Sequence, residues 1–280
     1  MRRLLLPLLV ALVVAALTAC TGGGKPSAEP TPSTSAPSTS APAPPTATAV
    51  PVPENRACYD LDYDQAVAPT SDADPVDCQA DHTSMTFAVG RLDTAVDGHL
   101  LAVDSDHAQA QVAETCPGRM ADFVGGTREA RRLSMLRAVW FTPTVEESDA
   151  GASWFRCDLT ALAGDGKLAP LTGRLASVLD KPAGQERYGT CGTAEPGTPD
   201  FARVICSERH SWRAIATVPF RAGAYPGLEK VRAAGDTPCQ DAARAVADDT
   251  LNFRWGYEWP TADQWAAGQT YGLCWAPSEQ

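Results

Sequence analysis

The chain has 280 residues, 44% hydrophobic and 20% charged, the proportions of a soluble globular protein with room for about one or two domains. Lys and Arg total 23 against 34 Asp and Glu, and this net charge of −11 excludes a nucleic-acid binder that relies on a basic surface. One apolar run and no period-three glycine pattern exclude a transmembrane bundle and a collagen-like fibre.

Residues 1–19 read as a lipoprotein signal peptide: Arg2 and Arg3, an apolar run from Leu4 to Leu17, then Leu17-Thr18-Ala19-Cys20 followed by glycines. That run falls short of the ~20 residues of a retained membrane span. Small residues ahead of Cys20 match a bacterial lipobox, so Cys20 is the expected lipidation site and the membrane is a partner through the lipid. Lys25 to Pro53 is almost entirely Pro, Ser, Thr and Ala, which cannot bury a core; residues 20–53 are read as a lipidated cysteine plus a disordered tether.

Strands are expected around Cys58 and Cys78, joined by the polar loop Val67 to Pro75, with a third from Met85 to Leu92. Ser105 to Val124 reads as helix, capped by Ser105 or Asp106 and broken at Pro117-Gly118. Leu133 to Thr142 and Trp154 to Leu159 read as strands. Further on, Arg203 to Cys206 and Trp212 to Phe220 are expected strands, a helix starts with Pro238 in its first position, and Leu251 to Trp259 and Thr270 to Trp275 are the last strands. This pattern is α+β: two tandem small disulfide-stapled domains, each a mostly antiparallel sheet with a helix on one face. The copies are placed at 54–182 and 183–280, with Asp180 to Gln185 as the most linker-like stretch between them.

Eight further cysteines carry the duplication. Cys58, Cys78, Cys116 and Cys157 are spaced by 20, 38 and 41 residues, and Cys191, Cys206, Cys239 and Cys274 by 15, 33 and 35. An even count in an exported chain reads as disulfides. Spacing permits three pairings per set; the reading adopted joins first to second and third to fourth, each bond contributing roughly 2–4 kcal/mol. The second cysteine of each set is followed four positions later by histidine, His82 and His210. The last 15 residues of each set align without a gap, from Pro143 to Cys157 and from Pro260 to Cys274. Within them, Thr144 with Glu147 and Thr261 with Gln264 have capping-box spacing, and Gly151 and Gly268 stand where a short helix ends.

A second cysteine followed shortly by histidine, a helical cysteine and a Pro-x-x-x-x-Trp-x-x-Gly segment before the last cysteine resemble the septum-formation-related domain of actinobacterial envelope proteins. Those domains are often found on lipoproteins and single-pass membrane proteins. The resemblance covers about residues 55–280; the second copy carries Trp265 in that segment where the first has Ser148. It implies an envelope protein loosely linked to cell division, without a defined activity; the lipobox and signal segment give the expected location, lipid-anchored on the outer side of the cell membrane.

No nucleophile elbow, zincin helix, P-loop or dinucleotide fingerprint occurs, so no catalytic residue, cofactor or metal is assigned and the chain is read as non-catalytic. His82 and His210 are half of a zinc pattern, yet oxidised cysteines leave too few ligands, and hydrogen-bonded structural histidines fit better. His99 and His107 are read as exposed. The sharpest binding candidate is the aromatic cluster at the C-terminus, where Trp255, Tyr257 and Trp259 share one strand face by their period of two. Such a surface can hold a cell-wall polymer or an envelope or divisome protein; the competing reading makes those rings core. The alternative function is a hydrolase or modifying enzyme acting on the wall. No nucleic-acid partner is expected.

Overall fold

The computed structural model describes residues 51–278; the signal segment, Cys20 and the tether up to residue 50 lie outside the described residues. The first copy begins with β1 (Cys58–Tyr59) and α1 (Tyr63–Ala66), the latter closed by a capping box between Asp62 and Gln65. Cys78, expected on a strand, lies in a turn instead, where Asp77 accepts from the Gln79 amide through its side chain and from the Ala80 amide through its carbonyl. These local bonds outcompete ladder pairing, and only Val76 bridges Cys58. Next come β2 (Ser84–Arg91) and the small hairpin β3 (Ala95–Val96) and β4 (His99–Leu100), turned at Asp97-Gly98, both with positive φ. His99 and His107 are exposed.

Helix α2 (Asp106–Val124) is capped by the Ser105 hydroxyl, 3.4 Å from the Ala108 amide, and buries Ala108, Val112, Cys116 and Val124 along one stripe. It runs unbroken through Pro117, contrary to the expected break. Pro117 is on the solvent side, while its neighbour Cys116 is fastened to Cys157 beneath the helix, so packing offsets the lost hydrogen bond. The copy is completed by α3 (Arg128–Arg132), β5 (Leu136–Phe141), α4 (Val145–Asp149), β6 (Trp154–Gly164) and β7 (Lys167–Ala169).

Asp180 to Gln185 is not a loose linker. Val178–Asp180 forms a 3₁₀ turn and α5 spans Pro182–Arg187, while Leu175, Leu179 and Tyr188 are buried in the same core as the first sheet. Gly184 lies against the Val178 carbonyl, an approach that no side chain permits.

The second copy comprises β8 (Thr190–Gly192), β9 (Arg203–Ile205), β10 (Trp212–Pro219), α6 (Leu228–Ala233), α7 (Asp236–Val246), β11 (Gly256–Glu258), α8 (Ala262–Ala266) and β12 (Tyr271–Pro277). Strand β11 is much shorter than the expected Leu251 to Trp259, because the Asp249 carboxylate accepts from the Leu251 and Asn252 amides and holds a turn there. Pro238 is the third helical residue rather than the first, since the helix starts at Asp236.

Both copies repeat one topology. The first sheet runs β1-β2-β6-β5 and the second β8-β10-β12-β11, with β9 added outside β8 and β7 paired to the far end of β6. Each central pair is antiparallel and bulged at the same place: Thr86 faces Asp158 and Ala88 faces Cys157, while Ala214 faces Trp275 and Ala216 faces Cys274. Disulfides join Cys58 to Cys78, Cys116 to Cys157, Cys191 to Cys206 and Cys239 to Cys274, all within a copy. Thr144 with Glu147 and Thr261 with Gln264 form reciprocal capping boxes, and Gly151 and Gly268 follow at φ 104° and 92°. The fold is α+β.

The register also exposes where the copies diverge. Beneath the first sheet, on the face away from α2, Arg156 and Asp158 form an ion pair at 3.4 Å with side chains 5% and 0% exposed. Ser84 and Thr86 hydroxyls donate to that carboxylate at 3.0 and 2.7 Å, and the guanidinium lies over the Tyr59 ring. Leu273 and Trp275 occupy the same register positions in the second copy and are packed with Trp212 and Ala214. Residues 51–278 fall in one compact unit: the Thr190 amide donates to Leu133, the Met135 amide to Tyr188, and Ile205 joins the first copy's core.

Candidate ligand groove in the second copy

In the ladder Trp140 faces Cys157 and Tyr257 faces Cys274, so Ala138 corresponds to Trp255 and Thr142 to Trp259. The helix above this strand differs too. Counting from Cys116 and Cys239, α2 corresponds to α6 and α7 together, a helix interrupted at Ala234-Gly235. Two features cause the interruption. Pro238 has no N–H to offer the Ala234 carbonyl. At Gly235 the Tyr257 ring packs against the bare backbone, where a Cβ would overlap Cγ and Cδ1 of the ring.

Tyr257 fills the gap and binds there. Its hydroxyl donates to the Val231 carbonyl at 2.9 Å, in the last turn of α6. Burial, with Asp236 and Tyr225 nearby, pushes its pKa up to about 12, so the hydroxyl remains a donor across the physiological range. Trp255 and Trp259 flank it just beyond the two ends of β11, half-buried, and the Trp259 ring centroid is 6.2 Å from that of Tyr257.

The result is an open groove of about 470 Å³ with Trp255, Tyr257 and Trp259 as its floor and Glu229, Arg232 and Asp236 on the helix side. The Arg232 guanidinium sits 4.7 Å from the Trp259 ring centre. In the first copy the equivalent space is about 300 Å³ and is lined by Val67, Pro69, Gln109, Ala138, Val139 and Trp140, without a charged residue. The three aromatics are thus brought together in unequal roles: Tyr257 is wedged into the fold, Trp255 lines the groove while also packing against the Val218, Cys239 and Cys274 cluster, and Trp259 lies beneath the Arg232 guanidinium. The charged rim comes from a helix break that no local signal near 255–259 announces.

Trp265 is elsewhere. It is buried, donates from Nε1 to the Gly223 carbonyl at 2.7 Å and contacts Phe220 and Tyr225. It fastens the 220–227 loop that delivers α6 to the groove. His82 and His210 are buried at equivalent places, two residues ahead of β2 and of β10, each with Nδ1 at 2.9 or 2.8 Å from the carbonyl two residues earlier, Ala80 or Glu208. His210 lies within 4.8 Å of the Cys191 and Cys206 sulfurs, but these share a disulfide and so do not offer thiolate ligands.

Duplicated topology, equivalent disulfides and matched capping boxes define a tandem α+β repeat protein. The family described as "Septum formation" matches residues 30–147 and again 129–274. The chain belongs to that septum-formation family and carries two copies of its domain, which suggests a role related to septum formation. Comparisons with curated proteins and with solved structures find no match. No helix among the described residues is long and apolar enough to cross a membrane.

Proposed function

We propose that the chain is a non-catalytic cell-envelope module of septum formation that holds a cell-wall polymer in the groove of its second copy and is anchored to the membrane by a lipid on Cys20. The observation that carries this reading is the pair Trp255 and Trp259, set on the groove floor where the first copy has Ala138 and Thr142. Flat rings give a large contact area at small entropic cost, and the mixed carboxylate and guanidinium rim supplies hydrogen bonds for hydroxyl-rich units. Hydrolysis of such a polymer is the weaker reading. Among the described residues the carboxylate whose pKa burial raises is Asp158, sealed beneath the first sheet and away from the groove. The proposal involves no metal, cofactor or nucleic acid.

Co-sedimentation of the full chain with purified peptidoglycan tests the reading. Pelleting that Trp255→Ala/Trp259→Ala abolishes while leaving the fold intact supports it. Equal pelleting of both chains overturns the groove, and no pelleting of the native chain overturns the polymer in favour of a protein occupant.

A further inference from the structure

The two copies meet along a second cleft, remote in sequence from the aromatic groove. Its volume is about 550 Å³. One wall comes from the first copy: Met120 of α2, Arg128, Arg131 and Arg132 of α3, and Arg137 of β5. The other is the turn after α8, Ala267 to Gln269, with Tyr271. Four arginines therefore line one cavity that contains no carboxylate, in a chain whose net charge is −11.

Three of the arginines are held by neutral groups. Arg131 donates to the carbonyls of Gly125 and Gly126, and one Arg137 nitrogen donates to those of Ser134 and Leu136 at 2.9 and 2.7 Å. Arg132 lies 4.5 Å from the Tyr271 ring centre. Arg128 is exposed. Ion pairs among the described residues are Arg156–Asp158, Arg203–Glu258 and Arg244–Asp241, so none of the four has an acid partner there. An adjoining cavity shares Arg137 and Gln264 and adds the Arg203–Glu258 ion pair and Asp165, and burial lowers the Arg137 pKa, opposed by Tyr271 and reinforced by the Arg203 charge. Backbone carbonyls and a ring orient Arg131, Arg132 and Arg137 without neutralising them, leaving donors of their planar forks for an incoming oxyanion, with Arg128 exposed at the rim.

We propose that this inter-copy cleft is a receptor for a phosphoryl group. Several converging guanidiniums suit a multiply charged tetrahedral anion better than a single carboxylate. Met120, Ala121, Leu136 and Ala138 give the same cavity an apolar floor, which fits a ligand whose phosphate is attached to an uncharged body. The site requires both copies, giving the duplication a role that one copy alone cannot fill. It is independent of the aromatic groove.

The test is calorimetric titration of the full chain with pyrophosphate at low salt. Binding should weaken at least tenfold in Arg128→Gln/Arg132→Gln and stay unchanged in Arg244→Gln, which removes the same kind of charge from a distant, acid-paired position. Should the double variant fail to fold, Arg128→Gln alone, at an exposed position, should weaken binding severalfold. Competition then separates sources. Displacement by dihexanoylphosphatidylglycerol below its micellar concentration, at lower concentration than inorganic phosphate, identifies a lipid headgroup; displacement by inorganic phosphate alone identifies a soluble phosphate. No pyrophosphate binding, equal loss in Arg244→Gln, or equal displacement by acetate overturns the receptor.

Discussion

Gly235→Ala probes the feature that makes the groove. A methyl group at this position overlaps Cγ and Cδ1 of Tyr257, and the ring is the stiff end of a residue whose hydroxyl is tied to Val231. Overpacking of this kind costs about 1–3 kcal/mol, and loss of the hydroxyl bond adds about 1 kcal/mol. The expected destabilisation is therefore about 2–4 kcal/mol, a fall in Tm of roughly 5–15 °C for a folded unit of this size. Thermal unfolding followed by circular dichroism measures it. Because the cost comes from one contact, it should shrink below about 1 kcal/mol when Gly235→Ala is introduced on a Tyr257→Ala background. A cost that persists at full size on that background would refute the reasoning, since it would place the strain in the backbone at 235 and not in the ring.

Arg156→Leu alone strands the buried Asp158 carboxylate and should cost about 3–5 kcal/mol, whereas Arg156→Leu/Asp158→Leu, apolar as in the second copy, should cost less than about 2 kcal/mol; denaturant titration of both measures the non-additivity. Burial raises the Asp158 pKa, so its contribution to stability is fully present below the ordinary carboxylate pKa and is lost as pH rises through the raised value. The double variant should lack that part of the pH dependence, which parallel unfolding at acidic and neutral pH will show. Cys20→Ala should block processing or release the chain from the membrane fraction, and fractionation that finds a correctly processed, membrane-bound mutant contradicts lipidation.

Most of the architecture was legible because it rests on short-range chemistry. Thr144 with Glu147 and Thr261 with Gln264 satisfy their helix ends within one turn, and Gly151 and Gly268 follow from the same arithmetic. Cysteine order and gap lengths carried the duplication. The misreadings share a different cause. Pro117 was expected to break a helix that tertiary packing and Cys116–Cys157 keep whole, while the true break falls at Gly235, where the intruding ring comes from a residue 22 positions later. Asp180 to Gln185 has the composition of a linker and is exposed apart from Gly184, but it is helical and held at both ends by the buried Leu179 and Tyr188, which anchor it to the first copy's core.

The arginine cleft could not be seen in the sequence for two reasons. Its walls come from 117–138 and 264–271, segments that only the fold brings together. A net charge of −11 also averages over a surface on which four arginines are locally unopposed. Trp255, Tyr257 and Trp259 were found by their period of two, yet that period does not distinguish a wedge from a display. The hydroxyl bond to Val231 and the contact with Gly235 make that distinction.

Binding and stability measured side by side for Trp255→Ala and Trp259→Ala test the central claim most directly. Each single variant of the full chain is titrated with soluble peptidoglycan fragments and melted in the same buffer. Both residues line the groove and are half-buried, so each variant should lose affinity at least tenfold; Tm should move by only a few degrees in Trp259→Ala and by more in Trp255→Ala, whose ring also packs against the Val218 cluster. Loss of about 3–5 kcal/mol of stability in both variants, with binding that merely tracks the folded fraction, would contradict the claim and return the tryptophans to the core.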